Sequence, residues 1–175
     1  MINKEQEKMK AKLIVNNQEI EVEISEEEYK KLLSKEEKKT GYERVLNKTY
    51  YWITGDSKLF SQVDNSAADA LSYESANYYS ARFVAENNAR ADKLMRQLRR
   101  FAVEHREKEL IWNDIVQRKY SIMFEHIDRK IYVSDISTMK YFGNIYFDSH
   151  STAQLAIDTF HDELIWYFTE YKDSL

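Results

Sequence analysis

Cysteine and proline are absent from the chain, and glycine occurs only at Gly41, Gly55 and Gly143. Without a thiol there are no disulfides, no zinc–thiolate or iron–sulfur ligation and no cysteine nucleophile, a composition that suits a reducing compartment. Three scattered glycines build neither G-x-G-x-x-G nor G-x-x-x-x-G-K-[ST], so the common nucleotide-phosphate loops are excluded. Long apolar runs are missing too: each is a handful of residues, against the roughly 20 that span a bilayer. The opening Met1-Ile2-Asn3-Lys4-Glu5-Gln6 has no apolar stretch, so no secretory signal is expected and the cytoplasm is the expected location.

What is present is enough for a core. Hydrophobic residues make up 43% of the 175 and aromatics 14%, which supports one ordinary domain or two very small ones. The net charge of −4 is unevenly placed. Residues 119–175 hold five basic and nine acidic side chains, and the rest of the chain balances. A sequence pI of 5.7 argues against a general nucleic-acid coat protein.

The pattern along the chain predicts an α+β protein. Leu13-Ile14-Val15, Asn16-Asn17 and the alternating Ile20-x-Val22-x-Ile24 read as a β-hairpin. Ser25 and Glu28 form a capping box for a short helix carrying Tyr29, Leu32 and Leu33. This N-terminal ββα unit covers residues 1–40. Residues 41–175 then read as two pseudo-repeated β-β-β-α units, about 41–118 and 119–175, offset by roughly 70 residues. The first has Tyr50-Tyr51-Trp52-Ile53, a turn at 54–57, Leu59–Val63, an irregular stretch, Asn77–Ser80 and a long helix. The second has Tyr120–Phe124, a turn at 126–129, Ile131–Val133, an irregular stretch, Asn144–Asp148 and a helix. On this reading Leu94 and Phe160 are equivalent buried positions.

At about 100° per residue, Phe83, Asn87, Ala91, Leu94, Leu98 and Phe101 share the apolar arc of the first long helix. The second helix places Ala153, Ile157, Phe160, Leu164, Tyr167, Phe168 and Tyr171 inward. Between them, Glu104 to Arg118 is a connector with one isolated apolar pair, Ile111-Trp112.

No catalytic constellation emerges. The four histidines, His105, His126, His150 and His161, fall in no H-E-x-x-H or H-x-H spacing, so no metal and no cofactor are expected. A binding protein is the expectation, and two faces are candidates. Lys93, Arg96, Arg99, Arg100 and Arg106 lie on the side of the first long helix opposite its apolar arc, and Lys93, Arg96, Arg99 and Arg100 are the candidates there, since forked guanidinium donors suit phosphate. Trp166 falls about 120° from Phe160, between Asp162 and Glu170, which is either the layout of an aromatic anchor in a polar rim or a face covered by another part of the same chain such as the N-terminal unit. Thirteen tyrosines are more than a core of this size readily buries, so residues among Tyr73, Tyr78, Tyr79 and Tyr141 are expected at the surface. Trp166, Asp162, Glu170, Tyr78, Tyr79 and Tyr141 are therefore the candidate partner contacts.

The hairpin leader, Thr40-Gly41-Tyr42-Glu43-Arg44, Tyr50-Tyr51-Trp52-Ile53, Arg99-Arg100-Phe101-Ala102, Trp112-Asn113-Asp114, Lys119-Tyr120 and Ile145-Tyr146-Phe147 together run nearly the whole chain. In these the chain resembles small accessory proteins carried by phages and mobile elements of low-GC bacteria. Several such accessory proteins are similar in size and character to inhibitors of bacterial defence systems, including anti-CRISPR proteins. The resemblance implies a non-enzymatic protein of the host cytoplasm that binds and inhibits a defence protein or ribonucleoprotein, a type II CRISPR effector nuclease among them. It carries over no site residue. One alternative is a nucleic-acid-binding regulator using the basic helix face; another is a phage structural protein.

Overall fold

The computed structural model describes residues 8–15, 18–25, 27–28, 39–136 and 138–175. It is a mixed α+β protein and divides into two compact units, Met1–Thr40 and Gly41–Leu175.

In the first unit, β1 (Lys8–Val15) and β2 (Gln18–Ser25) form an antiparallel hairpin with Leu13 opposite Ile20. The strand starts earlier than the sequence suggests, with the backbone of Lys8 to Lys12 paired to that of Glu21 to Ser25. The Ser25 capping box is made: Glu28 N–H donates to Ser25 Oγ (3.2 Å), and Ser25 N–H donates to Glu28 Oε2 (2.9 Å). Tyr29, Leu32 and Leu33 lie outside the described residues.

The second unit opens at Gly41, whose φ of +93° is a left-handed conformation that suits glycine. A Cβ there would meet Val84 Cγ2 at 2.6 Å, so the chain can pass this close to the long helix only without a side chain. Then come the hairpin β3 (Thr49–Ile53) and β4 (Leu59–Val63), helix α1 (Ala67–Glu74) and helix α2 (Arg82–Glu104). A second hairpin, β5 (Lys119–Glu125) and β6 (Lys130–Ile136), precedes α3 (His150–Thr159) and α4 (His161–Thr169).

Each hairpin is extended by one residue rather than by a third strand. Tyr79 exchanges two backbone hydrogen bonds with Tyr51 (2.8 and 2.9 Å), and Phe147 exchanges two with Tyr120 (3.0 and 2.8 Å). Ordinary backbone pairing stops there because the chain turns at once into a helix.

Three expectations need correction. The stretch after β4 contains helix α1, started by a capping box in which Asp69 accepts from Ser66 N–H (2.7 Å); Ser66 and Asp69 spell that signal. The second helix is broken at Phe160 (φ −114°, ψ 21°), with Asp162 and Glu163 in the first turn of a new helix, where negative charge suits the dipole. Phe160 thus lies in a break and, though packed against the core that holds Leu94, is not the equivalent of Leu94 within a continuous helix. The bridging residues Tyr79 and Phe147 are 68 positions apart, and at that offset Ala85 and Ala89 align with Ala153 and Ile157, all four buried. Phe83, placed on the apolar arc, is exposed because Val84 and Ala85 take the inward positions at this end of the helix.

α2 serves two cores. Its first turns pack Val84, Ala85 and Ala89 against Ile53 and Tyr79. Its last turns pack Leu94, Leu98 and Ala102 against Phe147, Ala153, Ala156, Ile157 and Leu164. Beside the first hairpin lies a buried polar cluster. Arg44 pairs bidentately with Asp64 (2.9 and 3.2 Å), while Tyr50 Oη donates to Asp69 (2.9 Å).

Candidate functional site

α2 ends at His105, whose N–H donates to the Phe101 carbonyl (3.0 Å). The connector that follows has neither helix nor strand, so its backbone groups need other partners. Asp148 Oδ2 accepts from Glu107 N–H (2.7 Å) and Lys108 N–H (2.8 Å). Asp114 Oδ1 accepts from Val116 N–H (2.8 Å) and Gln117 N–H (3.2 Å). Gln117 ties back across the loop, accepting from Ile111 N–H (2.7 Å) and donating to the Glu109 carbonyl (2.6 Å). Lys119, fully buried, donates through Nζ to the Asp114 and Gln117 carbonyls, both at 2.8 Å. A loop wired this way holds its outward side chains in place.

One of those side chains is Trp112, half-buried. Tyr146 meets its ring edge to face (4.8 Å, 82°), and the ammonium groups of Lys140 and Lys119 lie 5.2 and 5.8 Å from its centroid. Arg99 of α2, Arg106 and Glu109 of the connector, and Lys140 of the following turn complete a cleft of about 540 Å³. Three cations face one carboxylate in it. Among the described residues, Arg99, Arg106 and Lys140 make no ion pair.

The turn at 138–144 forms the other border. Tyr146 Oη accepts from Tyr141 N–H (2.5 Å), and Gly143 takes a φ of +83°. So held, the turn projects Met139 (59% exposed), Tyr141 (48%) and Phe142 (107%) into solvent. Behind it is an apolar groove of about 360 Å³, lined by Met95, Met123, Phe124, Phe142 and Phe168 with His126 at its edge. Asn144 and Ile145 line both groove and cleft.

The residues singled out from sequence scatter. Trp166 is buried, which overturns its assignment as a surface anchor. The Arg90 guanidinium sits 4.0 Å above its ring, held by Glu163 (2.8 and 3.1 Å). The 120° angle holds for one continuous helix, and the break at Phe160 re-phases everything after it. Tyr78 and Tyr79 are also buried, not presented to a partner. Tyr78 stacks on Tyr50 (4.0 Å) and donates to Asp64 (3.1 Å), so its hydroxyl is satisfied inside. Tyr73 and Tyr141 are exposed. Asp162 and Glu170 are exposed but flank no anchor.

The basic face divides. Lys93 lies with Asp162, Arg90, Asp158, His161 and Glu163 in a polar cleft of about 550 Å³, where opposite charges offset one another. Arg96 bonds to Ser57 Oγ, and Arg100 pairs with Glu104 (3.2 Å). Only Arg99 joins the cationic cleft. Arg106, which the helix angle places on the basic side, and Lys140, Trp112 and Phe142 are not among the candidates that the sequence singles out, although two signals exist. One is the isolated Ile111-Trp112 pair; the other is Met139-Lys140-Tyr141-Phe142 running into Gly143, an apolar string in a turn.

Among the described residues, no group of three or more His, Asp or Glu side chains is placed to hold a metal ion. No described helix is long and apolar enough to cross a membrane. Comparison with protein-family models, with curated proteins and with solved structures finds no match.

Proposed function

We propose that this protein is a non-enzymatic accessory protein that acts by docking on another protein through the 138–144 turn. One observation carries the reading: Phe142 stands wholly in solvent, with Met139 and Tyr141 beside it, on a turn held by its own hydrogen bond. Exposed apolar area costs roughly 25 cal/mol per Å² relative to burial. Apolar side chains concentrated on one fixed turn are therefore a feature of contact surfaces. The adjoining groove adds a receptacle for a partner's apolar side chain. The resemblance to mobile-element accessory proteins makes a bacterial defence nuclease the partner of choice, met in the bacterial cytoplasm and inhibited by occupancy.

The test is a cleavage assay with a guide-loaded type II CRISPR effector nuclease. Added in excess, the protein is expected to suppress cleavage. Phe142→Ser should raise the concentration required by about 30-fold or more, the effect of losing one interface anchor, with the melting midpoint unchanged. No suppression, or equal potency of Phe142→Ser, rejects the reading.

A further inference from the structure

The cleft between the end of α2 and the connector is distinct in chemistry from the apolar turn. Arg99, Arg106 and Lys140 line it with Glu109 as the one carboxylate beside them, and among the described residues none of the three cations makes an ion pair. Like charges held together in this way raise the local potential and favour an external anion. Two of the three are guanidinium groups, whose planar forks match phosphate oxygens. The wall is aromatic rather than polar: Trp112 and Tyr146, braced by the buried Lys119 and by the hydrogen bonds of Asp114, Gln117 and Asp148. An acidic peptide would satisfy the charges and leave the ring wall unused. A duplex offers phosphates but keeps its bases stacked away from such a wall. A single strand offers both, since a positively charged groove with an aromatic platform is how strands are gripped without sequence preference.

We infer that this cleft binds single-stranded nucleic acid, with phosphates on Arg99, Arg106 and Lys140 and a base against Trp112. The site requires no protein partner, so it stands or falls independently of the docking turn. The protein's net charge of −4 works against diffuse attraction elsewhere and confines binding to this cleft.

The experiment is fluorescence anisotropy of the full chain with a labelled oligouridylate of about ten nucleotides, from about 50 mM salt upward. Three phosphate contacts predict a slope of log K against log salt near −2, each contact contributing about 0.7 for a single strand. Arg106→Gln and Lys140→Gln are each expected to flatten that slope by about 0.7. Arg99→Gln/Arg106→Gln/Lys140→Gln together should abolish measurable binding. Trp112→Ala should weaken binding by about fivefold or more, and Trp112→Phe, which keeps a ring over Lys119, should recover most of it. Circular dichroism of each variant keeps misfolding separate from lost contact.

Arg96→Gln, on the same helix but outside the cleft, is the control, and an equal loss there overturns the localised site. No binding at low salt, or binding indifferent to the triple variant, overturns the inference outright. Equal affinity for a poly-glutamate peptide or a duplex reassigns the cleft, as does a mononucleotide that competes as well as the strand. Each of those results defeats the single-strand reading.

Discussion

Asp69 shows how one side chain can hold a whole corner. It is buried, yet its carboxylate accepts from Ser66 Oγ (2.8 Å), Ser66 N–H (2.7 Å), Asn65 N–H (2.9 Å) and Tyr50 Oη (2.9 Å). The Ser66 hydroxyl above all, with Tyr50 and the two backbone donors, holds its carboxyl well below the usual range against the opposing effect of burial. Asp64 is lowered too, chiefly by Arg44. A carboxyl depressed in the folded state stabilises the fold above its unfolded pKa, about 3.9, and that contribution fades as pH falls toward the lower folded value. The urea midpoint of the natural sequence should therefore drop as pH falls below about 4. Asp69→Asn should be less stable at pH 7 and change less across the acid window. Parallel curves for the two proteins would show that the carboxylate charge at this position is immaterial. Asp69 was legible as a helix start, since Ser66-x-x-Asp69 spells one. Its partnership with Tyr50 was not, because 19 residues separate them and only the turn of the hairpin brings them together.

At the scale of elements, the break at Phe160 is decisive. Its absence from the sequence reading has a physical cause: neither glycine nor proline marks it, and the apolar spacing runs through it undisturbed. The local signals are weaker ones, the Thr159 hydroxyl bonding back to the Leu155 carbonyl (2.7 Å) and the acidic first turn of α4. The consequence for Trp166 is opposite in kind to a contact role. Carried by α4 and covered by the guanidinium of Arg90 from α2, which Glu163 of α4 holds over its ring, it joins two helices. Trp166→Ala is expected to destabilise the fold by about 3–5 kcal/mol, read from urea denaturation. A fall in partner affinity at unchanged stability would restore the surface assignment. The hairpins were the readable elements, because strict alternation and tight turns are local properties. Their third members were legible only as apolar strings, Asn77–Ser80 and Asn144–Asp148, and each proves to be one bridging residue beside a helix start.

Across the Gly41–Leu175 unit, the organising element is α2, 23 residues long, which carries part of both cores. Its first half faces the β3–β4 hairpin and its second half faces β5, β6 and the last two helices. The second half buries its apolar surface only against the second hairpin and the last two helices. A chain ended after Arg118 leaves Leu94, Leu98, Phe101 and Ala102 without their cover. It should lose the cooperative thermal transition that the full chain shows in circular dichroism. A sharp transition at a similar temperature in the shortened chain would mean that the first core suffices.

Composition and local pattern alone determined the α+β class, the three hairpins, the Ser25 cap and the apolar identity of the long helix. Each of these depends on residues a few positions apart, whose spacing is written in the chain. Tertiary structure decided where the chemistry sits. It buried Trp166, Tyr78 and Tyr79, paired Arg96 and Arg100 away, and gathered Arg99, Arg106, Trp112 and Lys140 from three segments into one cleft. Periodicity reports which side of an element is apolar. It carries no information about which other element will cover that side, and burial and site geometry follow from the covering.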